Sequence, residues 1–61
     1  MKIGDLVVDR SDRTLLIVVK ADSDLEGVVV KDMEDGKTWY YCSADAAEHL
    51  VIVSTAREVK A

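Results

Sequence analysis

Asp35-Gly36-Lys37-Thr38-Trp39-Tyr40-Tyr41-Cys42 runs into Ser43-Ala44-Asp45-Ala46-Ala47-Glu48-His49 and then into Leu50-Val51-Ile52-Val53, and this stretch decides the fold. Asp-Gly between two strand-like runs is the best local hairpin signal in the chain, because glycine adopts positive φ without steric cost. Thr38–Cys42 is β-branched and aromatic, which suits a pleated, half-buried surface. Period-two alternation puts Trp39 and Tyr41 on one of its faces and Tyr40 and Cys42 on the other, and Trp39 is expected to be more buried than Tyr40. Ser43–His49 has helix propensity but length for little more than one turn, with Ser43 as a candidate cap. A helical turn is therefore expected between residues 43 and 50, followed by a last strand over Leu50–Val53.

Working outward from that stretch, three more short apolar runs precede it: Leu6–Val8, Leu15–Val19 and Val28–Val30. Gly4-Asp5 leads into the first, Asp9–Arg13 separates it from the second, and Ala21–Gly27 separates the second from the third. All are rich in turn formers. Five strands punctuated by acidic turns predict a small all-β domain over residues 1–54, with residues 55–61 as a frayed tail. The chain has 61 residues, so it is one domain. A domain of this size buries only ~60% of its unfolded surface and is marginal unless something reinforces it. A single cysteine, Cys42, excludes an internal disulfide, and no His/Cys cluster offers a zinc site. An efficient barrel or a partner subunit remains.

The order of these elements resembles the small Src-homology-3-like barrels. Lys2-Ile3-Gly4-Asp5-Leu6-Val7 is similar to the entry of many bacterial, archaeal and phage members, Asp35–Trp39 to their distal hairpin, and Ala44–Val53 to their closing turn and strand. The resemblance covers residues 2–54 and implies a five-stranded, strongly bent antiparallel barrel with one short helical turn before the last strand. It implies no function, since such scaffolds host many. The chain lacks the paired tyrosines and the Pro-Tyr pair of polyproline-binding members. It also lacks the Gly-x-x-Gly spacing of the ribosome- and polymerase-associated branch.

No constellation for catalysis, cofactor binding or metal binding stands out. Asp22–Gly27 begins like a calcium loop, yet its twelfth position is Met33 where a bidentate carboxylate is needed. Cys42 and His49 lack the third orienting group and oxyanion site of a nucleophilic centre. The chain is read as a non-enzyme needing no cofactor. Twelve acids against eight bases give a net charge of −4, whereas phosphate-backbone binders ordinarily carry a basic patch. No run reaches membrane-spanning length, the amino terminus lacks a signal-peptide layout, and one unpaired cysteine suits a reducing, cytoplasmic setting.

The feature pointing to function is surplus apolar surface. Leu15–Val19 and Val28–Val30 are apolar at both parities, more than the alternate inward positions of a small barrel can absorb, and contiguous exposed apolar surface marks interfaces. The expected reading is a protein–protein interaction module that self-associates, most simply as a dimer. Its contact residues are expected to be Leu16, Val18 and Val29, with Tyr40 as an aromatic anchor. The alternative is a nucleic-acid-associated barrel that stacks bases on Trp39 or Tyr40 and contacts phosphates through Lys31 and Lys37. A weaker alternative is an acidic, viral-type decoy presenting Asp22, Asp24, Glu26, Asp32, Glu34 and Asp35 to a basic site on a host protein.

Overall fold

The computed structural model describes residues 1–22 and 26–55. Five strands follow in chain order: β1 (Leu6–Asp9), β2 (Leu15–Lys20), β3 (Gly27–Asp32), β4 (Thr38–Cys42) and β5 (Leu50–Ser54), with one helix, α1 (Ser43–His49), between β4 and β5. They form a single antiparallel sheet in the order β4-β3-β2-β1-β5. The sheet is not closed by a β4–β5 ladder. The Asp24 position of the decoy reading, the centre of the calcium-like stretch and the tail beyond Thr55 lie outside the described residues.

Cross-strand partners share a face, so the register assigns every side chain. On the inner face Val7 stands opposite Leu16 and Ile52, Val18 opposite Val30, Val30 opposite Trp39 and Val28 opposite Tyr41. Val7, Leu16, Val18, Val28 and Val30, with Ala46 of α1 and Leu50, form the core. Leu16 and Val18 were expected to point outward as contact residues, and the structure corrects this: they are 2% and 1% exposed. The cause is an irregularity in β2. Counting back in twos from Lys20, a solvated lysine, turns Val18 and Leu16 outward. The register shift between Val18 and Lys20 inserts Val19 and inverts the parity, so Lys20 pairs with Val29 on the outside while Val18 pairs with Val30 inside.

Local chemistry accounts for the turns. Gly4 and Gly36 both take positive φ, at 94° and 77°, in the left-handed region that glycine occupies freely. The β3–β4 connection is closed by Asp32 N–H donating to the Lys37 carbonyl at 2.7 Å. Asp32 Oδ1 accepts from the Glu34 and Asp35 amides within it, and Asp35 Oδ1 accepts from Lys37 N–H. The hairpin therefore falls where Asp35-Gly36 places it, on a connection built as a chain of Asx turns. Helix α1 has seven residues, and its N-cap is Cys42, with no side-chain cap bond. Ser43 is not the cap: its hydroxyl donates instead to the Glu26 carbonyl at 2.8 Å, tying the start of α1 to the entry of β3.

Candidate functional site

Three surface features are available for recognition. The first is the outer face of the sheet over β5, β1 and β2. Val51, Val8 and Leu15 form one cross-strand row, and Leu6 stands opposite Ile17 in the next. Leu15 and Val51 are exposed, and Leu6, Val8 and Ile17 are half-buried. No charged side chain interrupts these two rows. Over β3 and β4 the same face turns mixed, with Lys31 opposite Ile17 and Thr38, and Val29 opposite Tyr40.

The second feature is the β5 edge. Leu50 is buried, but Val51, Ile52, Val53 and Ser54 are all exposed. Arg10 N–H donates to the His49 carbonyl at 2.7 Å, which makes Asp9–Leu50 a pair without mutual hydrogen bonds. Antiparallel alternation then makes Val8–Val51 the hydrogen-bonded pair and turns the N–H and C=O of Ile52 away from β1, toward the open side. The Ile52 side chain lies on the inner face beside Val7, where the sheet remains open.

The third feature is a cleft of about 270 Å³ between the β1–β2 and β3–β4 turns, lined by Asp9, Asp12, Asp32, Trp39 and Tyr41. Asp9 is 8% exposed. Its Oδ1 accepts from the Ser11 amide and hydroxyl at 2.8 and 2.6 Å, and its Oδ2 accepts from the Tyr41 hydroxyl at 2.6 Å. The Ser11 hydroxyl, the Tyr41 hydroxyl, the Ser11 amide and the charge of His49 together hold the Asp9 carboxyl below its ordinary range, against the opposing effect of burial. Burial, the hydrogen bond to Asp9 and the charges of Asp9 and Asp12 push the Tyr41 hydroxyl up to about 12. This bond joins edge strand β4 to β1 across the inner face, a side-chain link where no backbone ladder exists. With three carboxylates around it, the cleft repels anions.

The expected contact residues are thus divided. Val29 and Tyr40 do share the outer face, whereas Leu16 and Val18 are core. Trp39 and Tyr40 are 53% and 52% exposed, so Trp39 is not the more buried ring. Its inner-facing indole lies on edge strand β4, at the end nearer the β3–β4 turn, and borders the acidic cleft. Tyr40 lies along the outside, its hydroxyl 2.9 Å from where a Cβ on Gly27 would stand. The nucleic-acid set is split as well: Lys31 and Tyr40 are on the outer face, Trp39 on the inner, and Lys37 in the β3–β4 turn. Asp45, Glu48 and His49 bring one ligand atom each within 4.8 Å on α1. They sit at the surface of a seven-residue helix, where acidic groups gather without an ion.

Residue patterns alone missed Leu15, Val51 and Ile52, with half-buried Val8 between the first two, as the outward apolar set, and Asp9 as the anchor of the cleft. The signal for the first was the lysine at position 31, which fixes the outward parity of β3 and, through pairing, of the whole sheet. No family model, curated protein or solved structure matches the chain.

Proposed function

We propose that the protein is a non-enzymatic protein-interaction module whose first partner is a second copy of itself. The observation that carries this reading is the uncharged apolar face of Leu6, Val8, Leu15, Ile17 and Val51 on a domain too small to leave it uncovered without cost. Covering that face removes apolar area from water at roughly 25 cal/mol per Å², the same reinforcement that a chain without disulfides lacks. Within this proposal the fold is a small Src-homology-3-like barrel of the bacterial, archaeal or phage type. Support comes from the meander order with β5 beside β1, the helix before the last strand, and the Tyr41–Asp9 bond across the opening. A reducing, cytoplasmic setting fits the single half-buried Cys42.

Nucleic acid is the less favoured partner. The half-exposed indole of Trp39 borders three carboxylates, where phosphates are repelled, and Lys31 stands on the opposite face of the sheet from it. The acidic-decoy reading draws on Asp32, Glu34 and Asp35, yet the Asp32 and Asp35 carboxylates already accept amide hydrogen bonds inside the β3–β4 turn. Sedimentation velocity from low micromolar to millimolar concentration tests the leading reading. A mass rising above the monomer, and falling back in Leu15→Lys or Ile52→Lys, is expected. A wild type that stays monomeric throughout rejects self-association.

A further inference from the structure

We propose that two copies join edge to edge through β5, antiparallel about a two-fold axis passing beside Ile52, to give a continuous ten-stranded sheet. This inference rests on the self-association reading above and names the contact.

Three observations converge on that edge. First, the backbone valence is open. The bond from Arg10 N–H to the His49 carbonyl fixes the phase of the β1–β5 ladder, and alternation leaves both the N–H and the C=O of Ile52 facing away from β1. A strand that meets its own copy antiparallel with Ile52 opposite Ile52 satisfies both groups twice, in two reciprocal N–H···O=C bonds. Second, Leu50-Val51-Ile52-Val53-Ser54 carries no charge and no proline, although edge strands are ordinarily blunted by lysine, proline or cover. Among the described residues its one blunting device is the register shift that sets Val53 aside between Ile52 and Ser54, and this leaves Leu50–Ile52 regular. Third, the side chains are self-complementary. Ile52, 42% exposed, would meet its own copy on the inner face, while Val51 would meet Val53 of the second copy on the outer face, at 46% and 54% exposure. The Val51–Val8–Leu15 row of one copy then adjoins the Leu6–Ile17 row of the other across the two-fold, which doubles the outer apolar strip.

The other free edge is a poorer candidate. β4 is flanked by Lys37, and its Tyr41 is turned inward onto Asp9. Joining β4 of one copy to β5 of another is a head-to-tail contact that does not close and would grow into filaments, whereas a β5–β5 contact is isologous and stops at two. With no charge on the strand, the two copies meet without like charges at the contact, despite a net charge of −4 on each.

The full chain, isotope-labelled, provides the test by amide hydrogen exchange at concentrations that bracket the monomer–dimer transition seen by sedimentation. The Ile52 amide is expected to exchange freely in the monomer and to become protected in the dimer, in step with the dimer fraction, while the Val51 amide is protected in both. Ile52→Pro removes the outward donor and none of the bonds to β1, at an edge position where proline is tolerated. It is expected to weaken association about tenfold or more, the equivalent of losing two modest hydrogen bonds. Ile52→Lys, which sets two like charges side by side at the axis, serves as the second variant. Retained Trp39 near-ultraviolet dichroism certifies the fold of each. A dimer whose Ile52 amide exchanges as fast as in the monomer, and which Leu15→Lys abolishes but Ile52→Pro leaves intact, overturns the edge contact while leaving the interaction reading in place. A mass that grows without limit overturns the closed two-fold arrangement. A chain that is monomeric throughout overturns both.

Discussion

Asp9 accepts hydrogen bonds from Ser11 and Tyr41, and each of them is strongest while its carboxylate is charged. Its carboxyl is held below the ordinary value of 3.8. The stability it lends is therefore complete above that value and is lost as pH falls through its lower native one. The Tyr41 hydroxyl runs the other way. It is raised from 10.0 to about 12, so its contribution is complete below pH 10 and is lost as pH rises toward 12. Chemical denaturation across pH is expected to show an alkaline decline that Tyr41→Phe removes, while the acid decline persists in part through Ser11. At neutral pH Tyr41→Phe should cost about 1.5–3 kcal/mol, the range for a hydrogen bond to a charged group. An unchanged alkaline limb in that variant would show that Tyr41 and Asp9 do not titrate as a pair. The hydroxyl–carboxylate link was not visible in the sequence, because the two residues stand 32 positions apart and nothing local announces it. What the sequence did carry was the alternation of Trp39–Cys42, which put Tyr41 with Trp39 and opposite Tyr40, and the register then sets that face beside Val28 and Val30.

Each element depends on a backbone detail of one residue. In β2 that detail is Val19, whose insertion between Val18 and Lys20 decides which side of the strand is core. Val18→Ala is expected to cost about 2–3 kcal/mol as a buried truncation, whereas Val19→Ala, at a 39% exposed bulge, should change stability by less than about 0.5 kcal/mol. Equal effects would contradict the parity. In β3 the detail is Gly27, where an added Cβ would press on the Tyr41 backbone carbonyl and come within 2.8 Å of the Cys42 Cα. Neither backbone atom can yield without parting β3 from β4. Gly27→Ala should thus cost about 2–3 kcal/mol by thermal or denaturant unfolding, typical of overpacking. The strands, the β3–β4 hairpin and the helix before β5 were legible because each leaves a local mark: β-branched runs, Asp-Gly, an alanine-rich segment. The faces of β2 were not. Five consecutive apolar residues carry no period of their own, and the bulge makes the nearest polar marker, Lys20, point to the wrong face. The same ambiguity hid the outward row of Val8, Leu15 and Val51, which the cross-strand register identifies. Trp39 misled for a different reason, since its strand is an edge and its inward ring lies at the turn end, bordering the open acidic cleft and not the core.

For the molecule as a whole, charge and apolar area pull on association in opposite directions. Each copy carries a net charge of −4, so two copies repel at long range, while the β5 edge and the adjoining apolar rows carry no charge to repel at contact. Screening falls to a length of about 8 Å at physiological ionic strength, and it removes the repulsion while leaving apolar burial intact. Self-association is therefore expected to strengthen as salt rises from tens of millimolar to physiological levels and beyond. Binding to a polyanion goes the opposite way, because it gains from releasing counterions and weakens as salt increases. One titration separates the two leading readings of this surface. Sedimentation and thermal unfolding across a salt series should show a melting temperature that rises with both protein concentration and salt, since a ligand that binds only the folded state stabilises it by mass action, and here the ligand is the second copy. Labelled single-stranded oligonucleotide in the same series should show little binding at low salt and none at high. Tight oligonucleotide binding that survives raised salt would place nucleic acid first, and would require a base-stacking surface that the acid-lined Trp39 cleft does not offer.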